Sequence, residues 1–224
     1  SAGAASLHRV TSARRRLRFL GLGRTLASLA LLPWFLACLG TADPCAHSAE
    51  LRQSLPAEGL DRLVLTAERG RVEILGDPTA EAVEIQGLAC ATAPSLLAEV
   101  RLEDRRGGAL LGLDAVTPRR WLIPGDTALD LRLVVPARLE VELQHQAGDT
   151  AVQGVAALRL TDGPGEAEIS GIAGDLTVVD GAGPLRIERI GGQVRVVDDL
   201  GDLRIPGVGG DVEVEDGAGD ILVE

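Results

Sequence analysis

Four aspartates recur at a fixed interval in the second half of the chain, and they are the residues best placed to do chemistry. They are Asp162, Asp180, Asp198 and Asp216, each 18 residues after the one before. If one structural repeat spans 18 residues, their carboxylates stack in a ladder with a spacing of about 4.8 Å. Adjacent charges at that spacing repel by about 0.9 kcal/mol even in water, so something must offset the repulsion.

Two interpretations answer the repulsion within the aspartate ladder. In the first, each Asp caps its own Asp-Gly turn through a local hydrogen bond, while solvent and salt screen the remaining charge. In the second, the ladder binds a divalent cation, with calcium as the candidate, because carboxylate oxygens are its preferred ligands. We favour turn capping and keep the cation ladder as the alternative, with no other cofactor expected.

No other residues complete a catalytic arrangement. The three histidines, His8, His47 and His145, have no Ser or Cys partner in a recognisable nucleophile motif. We interpret His145 as an exposed turn residue rather than a catalytic base. The abundant glycines mark turns and do not open a helix after a strand, which excludes a dinucleotide or P-loop site. The sequence therefore predicts no catalytic residues and a protein that is not an enzyme.

Cysteine usage points to an oxidising compartment. Of the three cysteines, Cys38 lies in an N-terminal leader, which leaves Cys45 and Cys90 as an even pair. A disulfide between them is predicted, with two unpaired thiols as the alternative. A zinc site is less favoured, because two cysteines without a nearby histidine cluster cannot complete the metal's coordination shell.

Residues 1–42 have the layout of a secretory signal peptide, with a predicted signal helix. Six of the 22 basic residues precede an apolar run from Leu26 to Leu39, and small residues follow at Gly40 and Ala42. The run is short for a membrane span, which needs about 20 residues. Cleavage is therefore favoured over a retained membrane anchor or lipidation at Cys38. Removal leaves 33 acidic residues against 16 arginines, which excludes nucleic acid as a partner because phosphate binding needs clustered cations.

An internal repeat of about 18 residues must position the aspartate ladder. Within each unit, aliphatic residues alternate with polar ones, which is typical of β-strands with one buried face. No segment has helical spacing. Four near-complete units follow residue 139, and the turn glycines show the interval: Gly148, Gly165, Gly183, Gly201 and Gly219. The pattern predicts parallel strands stacked coil on coil.

The predicted fold is all-β, a parallel β-solenoid with 18-residue coils. Its aliphatic positions form two half-coils of nine residues, which favours a flattened, two-faced roll over the left-handed hexapeptide helix. Residues 138–224 are predicted to be the regular repeats. Residues 43–137 are predicted to be an irregular, strand-rich start of the same structure, with a polar lead-in over 43–58. Trp121 is interpreted as a core residue at a strand end, and the last strand is Ile221-Leu222-Val223.

The chain resembles the DUF4097 putative-adhesin family of bacterial cell-envelope proteins. The resemblance rests on the early Cys45, a Gly-Leu-Ala-Cys-Ala segment (87–91), a Leu-Arg-Leu-Val-Val-Pro segment (131–136) and the Gly-Asp-x-x-Val-x-Gly repeats. It covers roughly residues 45–224 and departs from the family pattern at Pro184. The resemblance implies a β-solenoid outside the cytoplasm and no established catalytic residues.

Three functional hypotheses follow. The first is an exported, non-enzymatic, adhesin-like or cell-envelope scaffold protein in the periplasm or at the cell surface, with an envelope protein or polysaccharide as partner. The second is a β-helical, polysaccharide-active enzyme, although 18-residue coils leave little room for a cleft. The third is a sensor or regulatory domain on a retained anchor. The open last coil is also expected to pair with another chain or with residues outside this sequence.

Overall fold

Strands with alternately buried and exposed side chains make up most of the part of the chain that the computed structural model describes, residues 45–118 and 126–223. One short helix, α1 (Pro94–Leu97), interrupts them. The strands are β1 (His47–Pro56), β2 (Arg62–Ala67), β3 (Val72–Asp77), β4 (Ala82–Ala91), β5 (Arg101–Gly107), β6 (Leu110–Val116), β7 (Thr127–Pro136), β8 (Glu140–His145), β9 (Thr150–Gln153), β10 (Ala157–Thr161), β11 (Ala167–Ser170), β12 (Leu176–Ala182), β13 (Leu185–Glu188), β14 (Val194–Leu200), β15 (Leu203–Ile205), β16 (Val212–Ala218) and β17 (Ile221–Val223).

The strands form two large sheets, so the all-β prediction is confirmed. The nine-stranded sheet has the order β1-β4-β7-β3-β9-β11-β13-β15-β17, and the eight-stranded sheet has the order β16-β14-β12-β10-β8-β2-β6-β5. Each ends in a strand with one unpaired edge, so neither closes on itself. From β8 to β17, successive strands alternate between the two sheets and pair in parallel with the strand two places along the chain.

The register of these parallel pairs matches the spacing of the sequence repeat. Leu176 lies opposite Val194 in the eight-stranded sheet, and Leu185 lies opposite Leu203 in the nine-stranded sheet, an offset of 18 in both cases. The first pairs have an offset of 17, as where Val141 faces Leu158, which follows the shorter first interval between turn glycines. Equivalent side chains therefore form columns that run across each sheet.

The N-terminal part enters the same two sheets but with mixed strand directions. Strands β2 and β6 pair in parallel, as do β3 and β7, whereas β1–β4, β4–β7 and β5–β6 are antiparallel. The prediction of a polar lead-in over residues 43–58 is wrong in its structure. It contains the ten-residue edge strand β1, because Leu51 and Leu55 alternate with polar residues and are half-buried against the core.

The helix α1 was also not predicted from the sequence. Pro94 occupies its first turn, where the missing proline N–H has no intrahelical partner to lose, and Leu96 is its buried residue. At four residues it is too short to show helical periodicity. No helix among residues 45–118 and 126–223 is long and apolar enough to cross a bilayer.

The core lies between the inner faces of the two sheets and is aliphatic. Its buried apolar residues in the described ranges are all Ala, Val, Leu or Ile. Columns such as Leu143–Leu160–Val178–Val196 stack along the eight-stranded sheet, so each strand buries its apolar side chains against those of its neighbours. The predicted signal peptide over residues 1–42 and the predicted core residue Trp121 both lie outside the described residues.

Candidate functional site

The aspartate ladder lies inside the molecule, not on its surface. Asp180, Asp198 and Asp216 are direct register partners on β12, β14 and β16, and Asp162 follows β10 immediately. Asp162 is 6 % exposed, and Asp180 and Asp198 are each 2 % exposed. The expectation that solvent screens the ladder is therefore wrong for these three residues.

His145 extends the ladder at its N-terminal end. Gln144 on β8 is the register partner of Thr161 on β10, which places His145 beside Asp162. We call His145, Asp162, Asp180, Asp198 and Asp216 the buried column. Beyond His145 the same inward position is occupied by Ala67 and then Ala115, so the column changes from apolar to polar at β8.

The interpretation of His145 as an exposed turn residue is wrong, because its ring is buried and fully engaged. Its Nε2 lies 2.9 Å from the backbone oxygen of Gly70, and its Nδ1 lies 2.8 Å from Oγ1 of Thr150. Nδ1 also lies 3.1 Å from Oδ1 of Asp162, with neither side chain more than 1 % exposed. A ring with no access to solvent has no route to a substrate, so this geometry does not suit a catalytic base.

The contacts of His145 determine where its protons lie. A backbone carbonyl only accepts hydrogen bonds, so Nε2 carries a hydrogen that it donates to Gly70. A second proton lies between Nδ1 and the Asp162 carboxyl group, on one or the other. In either arrangement the His145–Asp162 pair has no net charge, so it neutralises one end of the buried column.

Removing the His145 ring is expected to destabilise the protein markedly. His145→Ala leaves the buried carboxyl group of Asp162 without its partner, and breaking one side of a buried pair costs about 3–5 kcal/mol. The measurement is the free energy of unfolding in urea. His47→Ala, at an exposed position on β1, is the matched control and should change little. Equal stability of the two variants would show that the buried pair contributes nothing.

The rest of the column lacks partners. Both carboxyl oxygens of Asp180 and of Asp198, together with Oδ2 of Asp162 and Oδ1 of Asp216, are buried without a hydrogen bond of normal geometry. The predicted capping bond is present at Asp162, whose Oδ1 accepts from the amide of Gly163 at 3.0 Å. Turn capping therefore does not account for Asp180 and Asp198.

The isolation of these carboxyl groups shifts their protonation. Burial, reinforced by the carboxylates of Asp162 and Asp198, raises the pKa of Asp180 to about 7, against an opposing contact with the amide of Gly181. Burial and the neighbouring Asp216 likewise raise the pKa of Asp198. Both shifts favour the neutral acid, as expected for like charges confined in a medium of low polarity.

The column does not have the geometry of a preformed metal centre. Within residues 45–118 and 126–223, no three His, Cys, Asp or Glu side chains converge on a point where they could hold a metal ion. The carboxyl groups lie in a row along the strands' stacking direction instead. Calcium binding at the ladder remains a hypothesis from the sequence pattern.

A second, exposed set of aspartates satisfies backbone amides between coils. Oδ1 of Asp149 accepts from the amide of Glu166 at 3.3 Å, and Oδ1 of Asp202 accepts from that of Asp220 at 3.4 Å. Asp175 does the same for Gln193 at 2.9 Å. These carboxylates contribute to packing of adjacent coils and remain in contact with water, unlike those of the buried column.

The predicted cysteine pair is bonded in the structure. Cys45 and Cys90 form a disulfide with their Cα atoms 4.8 Å apart and 45 residues between them in sequence. Cys90 lies on β4, where it is the register partner of Ser48 on β1. The bond therefore ties the beginning of the edge strand β1 to its neighbour.

A shallow groove on the outer face of the nine-stranded sheet is the second candidate site. It has a volume of about 340 Å³ and crosses β1, β4, β7 and the start of β3. Arg52, Arg71 and Arg132 line it together with Glu73 and Gln86. Nη1 of Arg132 lies 3.7 Å from Oε2 of Glu73. We call these five residues the outer groove.

The two candidate sites differ in how visible they are in the sequence. The buried position of Asp162 follows from Leu158 and Leu160, because alternate residues of a strand share a face, and the same step leads from Val141 and Leu143 to His145. The outer groove had no such signal. It depends on the order of β1, β4, β7 and β3, which are separated along the chain.

No family model and no curated protein matches this chain. Several solved structures do. A "putative cell adhesion protein" from Clostridium sporogenes matches with a TM-score of 0.50 and 12 % identity, over 79 % of this chain and 99 % of that one. A "putative adhesin" from Bacteroides fragilis matches with a TM-score of 0.37 and 11 % identity, over 81 % and 99 %. A "Putative lipid binding protein" from Parabacteroides distasonis matches with 0.32 and 8 %, over 80 % and 98 %. At these identities the first match shows a shared fold alone.

Proposed function

We propose that the chain is an exported, non-enzymatic, adhesin-like or cell-envelope scaffold protein of the DUF4097 type. The observation that carries the proposal is the constant offset of 17–18 residues in both sheets. That offset repeats the same outward positions at every strand and produces two long polar faces. Extended faces of this kind suit a partner that is itself extended, such as a polysaccharide or another envelope protein.

The strand order supports a β-solenoid as the architecture behind these faces. Each pair of successive strands from β8 onward contributes one strand to each sheet, which amounts to one coil of about 18 residues. In such a stack a coil buries its apolar side chains only against adjacent coils, so the number of coils sets the length of the binding face.

The outer groove is the part of the surface that we assign to the partner. Its three guanidinium groups, one carboxylate and one amide offer several donors and acceptors on a shallow floor. Planar guanidinium groups bind carboxylates in pairs of hydrogen bonds, and hydroxyl groups fit the remaining positions. The groove therefore suits a hydroxyl-rich, carboxylate-bearing polysaccharide of the cell envelope.

The binding proposal predicts that the groove arginines are needed for polysaccharide capture. The double variant Arg71→Ala/Arg132→Ala should bind purified acidic envelope polysaccharide at least about tenfold more weakly than the unchanged chain, measured by calorimetry. The matched control is Arg159→Ala/Arg195→Ala on the outer face of the eight-stranded sheet, which should bind normally. Equal loss in both variants, or no binding by the unchanged chain, would contradict the assignment.

The same samples test the alternative of a polysaccharide-active enzyme. A binding protein leaves the chain length of the polysaccharide unchanged after long incubation, whereas an enzyme shortens it. Sizing the polysaccharide by chromatography separates the two outcomes. Shortening by the unchanged protein, abolished in the groove variant, would favour the enzyme.

Self-association through the last coil also remains a proposal. Ile221, Leu222 and Val223 on β17 are each 48–50 % exposed, and β16 and β17 are the last described strands of their sheets. Apolar side chains on an unpaired strand favour pairing with a further strand. Export to the periplasm or cell surface is likewise proposed, in agreement with the disulfide and the acidic charge.

A further inference from the structure

We propose that the buried column is a hydrogen-bonded stack of neutral carboxylic acids, so that the protein takes up protons to complete its core and is most stable at mildly acidic pH. The inference does not rest on the proposed function. It starts from the orphaned oxygens of Asp180 and Asp198, which belong to side chains buried as deeply as the aliphatic core.

The groups around the column leave protons as the available source of compensation. From the eight-stranded sheet, Asp180 faces Asp162 and Asp198, with His145 and Asp216 one strand further on, and Asp199 is the nearby acid on the outer face. From the nine-stranded sheet, Thr150 contacts His145, and its register partners are Ala167, Leu185 and Leu203. None of these four ionises.

His145 can neutralise only one of the four acids. It is already paired with Asp162, and no arginine in the described part of the chain forms an ion pair with Asp180, Asp198 or Asp216. A buried charge without a partner is far more costly than a neutral polar group. Protonation removes the charge and adds an O–H donor to each carboxyl group.

The spacing of the strands suits donation along the column. Neighbouring strands lie about 4.8 Å apart, the repeat at which stacked Asn and Gln amides form continuous hydrogen-bond ladders. A protonated Asp has the same shape as Asn and likewise carries one donor and one acceptor oxygen. Each Asp could thus donate to the carboxyl oxygen of the next strand, which supplies partners for the oxygens that now have none.

The proposal fixes the sign of the pH dependence. An acid whose pKa is higher in the folded state than in the unfolded state binds protons on folding, so stability falls as pH rises between the two values. For Asp180 that interval runs from about 4 to about 7. The melting temperature of the unchanged chain should therefore fall by about 5 °C or more between pH 5.5 and pH 8.

The decisive variants are isosteric. Asp180→Asn/Asp198→Asn keeps the ladder and removes its titration, so it should melt higher than the unchanged chain at pH 8 and lose most of the pH dependence. Asp199→Asn removes one charge beside Asp198 but on the exposed face, and it should keep the dependence. An infrared band of a protonated carboxylic acid at pH 6, absent from the double variant, would support the stack independently.

Three results would overturn the proposal. The first is a melting temperature that does not fall between pH 5.5 and pH 8, and the second is an equal fall in the double variant. The third is a rise in melting temperature on adding calcium chloride at pH 8 that exceeds the rise with sodium chloride of matched ionic strength and disappears in the double variant. That last result would assign the column to a divalent cation instead of protons.

Discussion

Gly183→Ala is expected to lower the free energy of unfolding by about 3 kcal/mol or more. Gly183 has a φ of +137°, a conformation that side chains disfavour, and a Cβ atom there would overlap the backbone carbonyl group of Gly165 in the adjacent coil. A backbone group cannot rotate away as a side chain can. The carbonyl of Gly165 is also fixed by its neighbours, because Gly165 itself packs on Gly148 in the same way.

A matched substitution distinguishes this close packing from a general effect of losing a glycine. Gly107 on β5 has no heavy atom within 4 Å of the position a Cβ would occupy and no positive φ. Gly107→Ala should therefore leave stability nearly unchanged or raise it slightly, since alanine restricts the unfolded chain. Urea unfolding of both variants gives the comparison. Similar losses in the two would show that the coils can separate at the Gly183 corner.

The turn glycines show why the repeated half of the chain could be predicted from sequence. An apolar side chain at every second position specifies a strand with one buried face, and a corner where a Cβ would collide with the coil below tolerates only glycine. Both constraints act locally and recur every 18 residues. The strands from β8 to β17 therefore have sequence signatures, and their pairing offset follows from the repeat.

The buried column was misread because residue type was given more weight than position. Asp180 follows Leu176 and Val178 at the same alternate spacing, which places it on the inner face. A charged residue at such a position contradicts the usual rule that acids are exposed. Position determined the outcome, because a one-residue shift that exposed Asp180 would also have exposed Leu176 and Val178.

The N-terminal half could be predicted only in outline. Its strands pair with partners far away in sequence and in both directions, as where Glu84 on β4 lies opposite Ser54 on one side and Val134 on the other. No local pattern specifies which of several similar strands becomes the neighbour. The outer groove depends on these pairings, and so it could be found only from the structure.

Removing the disulfide is the other change expected to have a large effect. The Cys45–Cys90 bond closes a loop of 45 residues, and restricting an unfolded loop of that length contributes about 4 kcal/mol in the chain-entropy description. The variant Cys45→Ser/Cys90→Ser should lose a comparable free energy of unfolding in urea. Reduction of the unchanged chain should lower the melting temperature by the same amount as the double substitution.

The location of the bond predicts where the damage begins. Strand β1 pairs only with β4, and its outer edge is free within the described part of the nine-stranded sheet. Without the bond, the first residues of β1 are held by backbone hydrogen bonds and by Leu51 and Leu55, which are only half-buried. Limited proteolysis should then cut first within residues 45–56, while β8 to β17 stay protected because they pack coil on coil. First cleavage within β8 to β17, or an unchanged free energy of unfolding, would show that β1 docks without its covalent tie.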